Sequence, residues 1–175
     1  MHYRGRYLGI RERDHWEFAT RTNASAVAAL VPVTDRQELV LVEQFRIPVQ
    51  AQVIELPAGL VGDLQDPEES VLTAARRELE EETGYRADRL THLITCPSSA
   101  GLSDEMVIIL LAEGLQQTGP GGGDASEDIT VHRVPLATAS AWLAAAMQEG
   151  KQLDPKIYAA LYWLERRARG QALLG

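Results

Sequence analysis

A charged stretch near the middle of the chain, Arg76-Arg77-Glu78-Leu79-Glu80-Glu81-Glu82-Thr83-Gly84, constrains the fold most. Apolar side chains recur through and before it at spacings of three and four, at Val71, Leu72, Ala75 and Leu79. That period is typical of an amphipathic helix with one face against a core. The sequence therefore predicts a helix here whose second face carries mostly charge.

Residues at either end predict where this helix begins and ends. Asp66 is placed to cap the N-terminus, Pro67 suits the first helical position, and Glu69 lies where a capping box needs a carboxylate. Gly84 is suited to the left-handed conformation that closes many helices.

The charged face of the predicted helix carries Glu78, Glu81 and Glu82 at positions i, i+3 and i+4. Their carboxylates crowd together and repel one another. Such a group is stabilised by a cation, and ligands that are all oxygen suit a hard ion such as Mg²⁺ or Mn²⁺. The alternative is a solvated face on which Arg76 and Arg77 pair with glutamates one turn further on.

The wider pattern favours the metal interpretation. Arg77-Glu78-Leu79-x-Glu81-Glu82-x-Gly84-Tyr85 resembles the core of the Nudix box, G-x5-E-x7-R-E-U-x-E-E-x-G-U, in which U is bulky and apolar. Glu69 stands in the place of the upstream glutamate, and Gly59 is the best match for the box glycine. The loop from Gly59 to Glu69 is then four residues longer than the pattern. The chain is identified by this resemblance as a member of the Nudix hydrolases.

The resemblance implies an α/β fold, a mixed β-sheet sandwiched between α-helices, in a single domain over residues 1–175. Residues 1–22 precede the part that resembles the family and read as an antiparallel strand pair, 6–11 and 16–21, around a turn at 12–15. A buried strand at 24–33 is expected to form a hairpin with a strand at 39–42. Further elements are expected as strands at 90–97, 106–112 and 127–135, a helix at 137–148, and a last helix capped by Asp154 with Pro155 first.

Two other segments resemble the ADP-ribose pyrophosphatase branch of the family. Residues 43–48, Glu-Gln-Phe-Arg-Ile-Pro, resemble its E-Q-Y-R-x-P stretch, although Arg46 alone reads as a solvated residue at a strand end. Residues 98–105 resemble its S-P-G-x-S-D-E loop, with Ala100 in place of the proline that marks ADP-ribose preference. The resemblance implies substrate contacts at Arg46, Glu55, Ser99, Gly101 and Asp104.

The same resemblance assigns the metal ligands and the catalytic groups. Two or more Mg²⁺ or Mn²⁺ ions are expected on Glu78, Glu81 and Glu82, with the Ala58 carbonyl and Glu69 as further ligands. Arg77 is expected to orient the glutamates. The general base is expected to be Glu127, then Asp124, then Glu105, and each has an alternative as a plain loop carboxylate. The glycine-rich stretch at 119–123, which precedes Asp124 and Glu127, suits a mobile lid over the site.

These expectations describe a hydrolase of a nucleoside diphosphate linked to X, with ADP-ribose giving AMP and ribose 5-phosphate. GDP-mannose, another nucleotide sugar and a dinucleotide remain open as substrates. A regulator that only binds nucleotide sugars is disfavoured because the metal carboxylates are present. An isomerase of isoprenoid diphosphates would need a Cys–Glu pair in the pocket, for which Cys96 is the sole thiol.

Charge and composition bound the partners and the compartment. The net charge of −8 argues against a nucleic-acid or anionic-membrane surface. The single Cys96 excludes an intrachain disulfide, and neither a signal peptide nor an apolar run of ~20 residues is present, which predicts a cytoplasmic protein. Trp16 and Phe18 in the strand pair predict exposed apolar surface, and with the resemblance they predict a homodimer in which residues 1–22 are the dimer arm.

Overall fold

The computed structural model describes residues 1–63, 66, 68–123 and 127–172. Its strands are β1 (Tyr3–Arg4), β2 (Leu8–Arg13), β3 (Trp16–Arg21), β4 (Ala26–Pro32), β5 (Glu38–Arg46), β6 (Ala51–Glu55), β7 (Ala58–Val61), β8 (Tyr85–Pro97), β9 (Met106–Gln117), β10 (Thr130–Pro135) and β11 (Gln152–Leu153). Its helices are α1 (Val71–Thr83), α2 (Ala139–Gln148) and α3 (Lys156–Ala168), with 3-10 turns at Ile47–Val49 and Leu136–Thr138. No helix within these ranges is both long and apolar enough to cross a membrane.

Two mixed four-stranded sheets form the centre of the molecule, in the orders β7-β4-β9-β8 and β10-β5-β6-β11. Side chains of β4 alternate between two cores, as the period of a strand requires. Ala28 and Leu30 pack in the core beneath α1, whereas Ala29 and Val31 pack in the core that α2 and α3 cover. The predicted α/β fold with strands sandwiched between helices is confirmed, and the strands are divided between two sheets.

The predicted hairpin between the strands at 24–33 and 39–42 is wrong. Pairing across that turn is limited to an isolated bridge between Val33 and Leu39. Beyond the bridge, β4 pairs with β7 and β9, and β5 pairs with β6 and β10. Both edges of β4 are therefore occupied by strands other than β5, and β5 forms its hairpin with β6 instead. The apolar pattern predicted the two strands without predicting their neighbours.

Helix α1 begins later than its flanking residues predict. Ser70 is the N-cap, and its Oγ accepts the backbone N–H of Thr73 at 3.2 Å. The predicted cap at Asp66 and capping box at Glu69 are wrong, because Ser70 already supplies the capping oxygen and the Glu69 carboxylate binds an arginine instead.

The buried face and the C-terminus of α1 follow the prediction with one exception. Ala74, Ala75 and Leu79 are fully buried, but Leu72 is 52% exposed and lies outside the core. Gly84 closes the helix with φ of 71°, and its N–H donates to the Glu80 carbonyl at 2.9 Å. The charged face of α1 is thereby turned toward β7, where the functional site lies.

Residues 1–22, called here the N-terminal arm, form a three-stranded antiparallel sheet in the order β1-β2-β3 rather than a strand pair. The turn between β2 and β3 is only Asp14 and His15, both with positive φ. The arm lies against the loop before β9, where the Ala19 N–H donates to the Leu102 carbonyl at 2.8 Å. This contact brings the last residues of the arm beside the functional site.

Candidate active site

A cleft of about 940 Å³ lies between α1, β7, the N-terminal arm and the start of α3. It gathers most of the residues that the sequence singles out. Those lining it are Arg46, Glu55, Ala58, Glu69, Arg77, Glu78, Glu81, Glu105 and Glu127. Residues separated by about eighty positions in the chain thus share one polar cavity.

The acidic wall is formed where α1 packs on β7. Glu82 is 3% exposed, and its Oε2 accepts the backbone N–H of Ala58 at 3.0 Å. Glu78 lies against Gly59, where a Cβ would overlap the Glu78 carboxyl group. A residue without a side chain at 59 therefore lets a helix carboxylate approach the strand backbone directly.

Burial in this wall disfavours negative charge. It raises the pKa of Glu82 to about 8, an effect that the Ala58 hydrogen bond opposes and the nearby Glu78 and Glu127 increase. Burial also raises the pKa of Glu78, opposed by the Arg77 guanidinium. Both carboxyl groups would ionise more readily if a cation lay between them.

Arg77 ties together the glutamates around it. Its guanidinium donates to both Glu69 oxygens at 3.1 Å, to Glu78 at 2.8 Å and to Glu81 at 3.1 Å. These bonds, chiefly those to Glu69, hold the pKa of Arg77 even further above its usual range. Arg77 thus connects the segment before α1 to the helix face, which is the arrangement expected of an orienting residue.

Three cations from other elements, called here the cationic wall, also line the cleft, and each is paired with a carboxylate. Arg46 on β5 donates to Glu55 on β6 at 2.6 Å, and Arg21 at the end of β3 pairs with Glu105. Lys156 at the start of α3 pairs with Asp154, whose Oδ1 also accepts the Lys156 N–H at 2.7 Å. Arg46 and Lys156 are positioned to exchange their carboxylate partners for the phosphate oxygens of a ligand.

Several lining residues have no counterpart among the sequence predictions. Arg6, Tyr7, Arg21 and Asn23 come from the N-terminal arm and its junction with β4, and Lys156 comes from α3. The Arg6 guanidinium lies over the Tyr7 ring, 4.8 Å from its centre. Nothing in the sequence pattern of the arm indicates that it folds onto its own cleft, so these residues carried no signal that would have identified them.

Other predicted residues lie elsewhere. Ser99, Gly101 and Asp104 are not among the residues that line the cleft. Gly101 accepts the Trp16 indole N–H at 3.3 Å, and Asp104 accepts the Thr20 hydroxyl at 3.1 Å. Gly101 and Asp104 therefore join their loop to the N-terminal arm.

Two further candidates are the second choice of general base and the single thiol. The base candidate, Asp124, lies outside the described residues. Cys96 is partly buried against the main core and does not line the cleft, which disfavours the isomerase alternative.

The donor set of the acidic wall fits a hard divalent cation. Within the described ranges, no three acidic, histidine or cysteine side chains converge into a ready-made cage. Glu78 and Glu82 are nevertheless buried carboxylates whose ionisation is suppressed, next to Glu81 and the Ala58 backbone. A bound cation would offset that cost, since carboxylate and carbonyl oxygens are the ligands that Mg²⁺ and Mn²⁺ take.

The raised pKa of Glu82 predicts how stability without metal depends on pH. Between about pH 4.5 and 8 the folded protein keeps a proton on Glu82 that the unfolded chain releases, so the free energy of unfolding should fall as pH rises through this window. In chelator, we expect a Tm lower by roughly 5 °C or more at pH 8 than at pH 5.5, measured by calorimetry. Glu82→Gln should reduce this difference in Tm. An equal difference in Tm in the wild-type and Glu82→Gln proteins would contradict the raised pKa of Glu82.

The chain matches a protein-family model and several known proteins. The model of the NUDIX domain matches residues 24–159. The chain is 31% identical to the methanol dehydrogenase activator of Bacillus methanolicus over 138 residues, 78% of this chain and 70% of that protein. It is 42% identical to the ADP-ribose pyrophosphatase of Bacillus subtilis strain 168 over 87 residues, 50% of this chain and 45% of that protein.

One solved structure extends the likeness to most of the chain. It is described as the crystal structure of an ADP compounds hydrolase and aligns with a TM-score of 0.68, covering 95% of this chain and 89% of the other. The sequence identity is 23%, so this likeness shows the fold alone.

Proposed function

The chain belongs to the Nudix family, and we propose that this Nudix hydrolase cleaves the pyrophosphate bond of ADP-ribose to AMP and ribose 5-phosphate. The observation that carries the proposal is a single cleft that is lined both by glutamates of α1 and by the paired cations Arg21, Arg46 and Lys156. A pyrophosphate is anionic, so a site for it needs cations on both sides of the reacting phosphorus. The identity to an ADP-ribose pyrophosphatase supports the choice of ADP-ribose.

Divalent ions complete the acidic wall in this proposal. Glu78, Glu81 and Glu82 would hold two or more Mg²⁺ or Mn²⁺ ions, with Glu69 and the Ala58 carbonyl as further ligands. When bound, such ions neutralise phosphate charge and make water more acidic.

The remaining steps belong to side chains of this protein. The water oxygen forms the new bond to phosphorus as the bridging P–O bond breaks, and Glu127 takes the proton released by that water. Arg77 keeps Glu69, Glu78 and Glu81 in place. Arg46 transfers hydrogen bonds from Glu55 to the phosphate oxygens. Asp124 and Glu105 are the alternative bases.

A substrate panel tests the choice of ADP-ribose. The values of kcat/KM for ADP-ribose, GDP-mannose and diadenosine diphosphate are measured with Mg²⁺ and with Mn²⁺, with products separated by chromatography. We expect ADP-ribose to exceed both others by at least about tenfold, a difference of roughly 1.4 kcal/mol. A higher value for GDP-mannose would overturn ADP-ribose as the substrate and leave the hydrolase assignment intact.

We also expect a cytoplasmic homodimer formed through the N-terminal arm. Trp16 is 63% exposed and Leu8 is 51% exposed, although Phe18 is partly buried. Light scattering after size-exclusion chromatography should give about twice 19.2 kDa. Leu8→Lys should shift the protein toward monomer, because a charge at such an interface has no partner. Leu72→Lys, at the similarly exposed position on α1, is the control, and a monomeric wild-type protein would contradict the prediction.

A further inference from the structure

A second cavity lies beside the cleft and shares part of its wall. It has a volume of about 230 Å³ and is lined by Arg11, Thr20, Ala24, Ser25, Ala26 and Asp104, together with Arg21 and Glu105. Arg21 and Glu105 also line the main cleft. The ion pair between these two side chains therefore lies on the border of both cavities.

Backbone contacts on both sides hold this ion pair in place. The Ala19 N–H donates to Leu102 at 2.8 Å, and the Asp104 N–H donates back to the Ala19 carbonyl at 3.3 Å. The Thr20 hydroxyl, in a residue that is 5% exposed, donates to Asp104 at 3.1 Å. The backbone of β3 is thus hydrogen-bonded to the loop that ends at Glu105, which fixes the backbone of Arg21 next to that of Glu105.

The pair is partly shielded from water. The Arg21 side chain is 32% exposed and the Glu105 side chain 19% exposed, and the Arg21 guanidinium donates to the Glu105 carboxylate. Removing one partner leaves the other charge incompletely solvated and free to turn toward a new neighbour. The border between the cavities thus depends on both side chains being present.

We propose that the Arg21–Glu105 ion pair is a specificity gate that keeps the second cavity closed to substrate and so limits the size of group X. The proposal rests on the proposed hydrolase function and names a determinant that the Nudix box does not contain. With the pair intact, X is confined to the main cleft. Without it, the polar second cavity becomes continuous with the cleft and accepts a larger polar group such as a second nucleoside.

The test compares two substrates that share the ADP half and differ in X. In ADP-ribose X is a ribose, and in diadenosine diphosphate X is the larger adenosine. Arg21→Ala should raise the ratio of kcat/KM for diadenosine diphosphate to that for ADP-ribose by about tenfold. Arg21→Lys should restore most of the wild-type ratio, because the ammonium can still pair with Glu105.

Arg11→Ala is the matched control. Arg11 lines the second cavity but not the main cleft, so its removal enlarges that cavity and leaves the Arg21–Glu105 pair in place. The ratio of kcat/KM values should then stay within about twofold of wild type. An unchanged ratio in Arg21→Ala, or an equal rise in Arg11→Ala, would overturn the gate. If Arg21→Ala does not fold, Glu105→Ala breaks the same pair from the other side and should raise the ratio in the same way.

Failure of the gate is distinguishable from failure of the proposed function. If the wild-type protein hydrolyses neither compound, the hydrolase proposal fails. The ratio of dissociation constants for the same two compounds, measured by calorimetry, then tests the gate in wild type and Arg21→Ala. An equal ratio in the two proteins would overturn the gate in that case.

Discussion

Glu82→Gln should lower the turnover number by roughly a hundredfold or more at saturating Mg²⁺, because it removes a charged metal ligand while keeping the shape of the side chain. The amide oxygen can still accept the Ala58 N–H that Glu82 accepts at 3.0 Å, so the packing of α1 on β7 should persist. Steady-state kinetics with ADP-ribose gives the turnover number, and circular dichroism checks the fold.

Glu80→Gln is the matched control for this change. Glu80 lies on the same helix, but its carboxylate pairs with Arg86 at 2.8 Å, whereas the carboxylate of Glu82 is buried against Ala58. Its loss should leave turnover within about twofold of wild type, since exposed ion pairs contribute little. Turnover at the wild-type rate in Glu82→Gln would contradict the metal assignment, whatever the result for Glu80→Gln.

Glu127→Gln should cut turnover by about a hundredfold and leave substrate binding nearly intact, because a general base acts on water and not on the bound diphosphate. Glu127 lines the cleft and lies close enough to Glu78 and Glu82 to raise the pKa of both carboxyl groups. Single-turnover kinetics separates this effect on turnover from product release.

Asp128→Asn serves as the control for Glu127→Gln, because Asp128 is the next residue and does not line the cleft. Asp124→Asn and Glu105→Gln complete the comparison, since both residues are the alternative bases. A wild-type single-turnover rate in Glu127→Gln, together with a dead variant at one of the other two positions, would reassign the base. The hydrolase itself would stand in that outcome.

The acidic wall was predictable because its geometry is local. Spacings of three and four place Glu78, Glu81 and Glu82 on one turn of any helix, and the buried alanines and Leu79 decide which way that helix faces. Glu69 comes before the helix, but its pairing with Arg77 still follows from the short connection between them. Spacing alone favours a solvated face, so the metal-binding interpretation of these residues came from the resemblance.

The cationic wall was not predictable because it depends on long-range packing. Arg21 reaches the cleft because β3 hydrogen-bonds to a loop about eighty residues later, and Lys156 does so because β11 runs beside β6. An alternating strand pattern indicates which residues face inward but not against what they pack. The mistaken hairpin between β4 and β5 has the same cause, and so does the omission of Arg6 and Tyr7.

The most direct test of the central claim is the release of AMP from ADP-ribose by the wild-type protein with Mg²⁺ or Mn²⁺, followed by chromatography. If the acidic wall binds the metal, AMP and ribose 5-phosphate should form in equal amounts and only with the metal, and about a hundredfold more slowly in Glu82→Gln. Metal-independent release, or release that Glu82→Gln leaves unchanged, would contradict the role of the acidic wall. No AMP from ADP-ribose at saturating metal would contradict the proposed function.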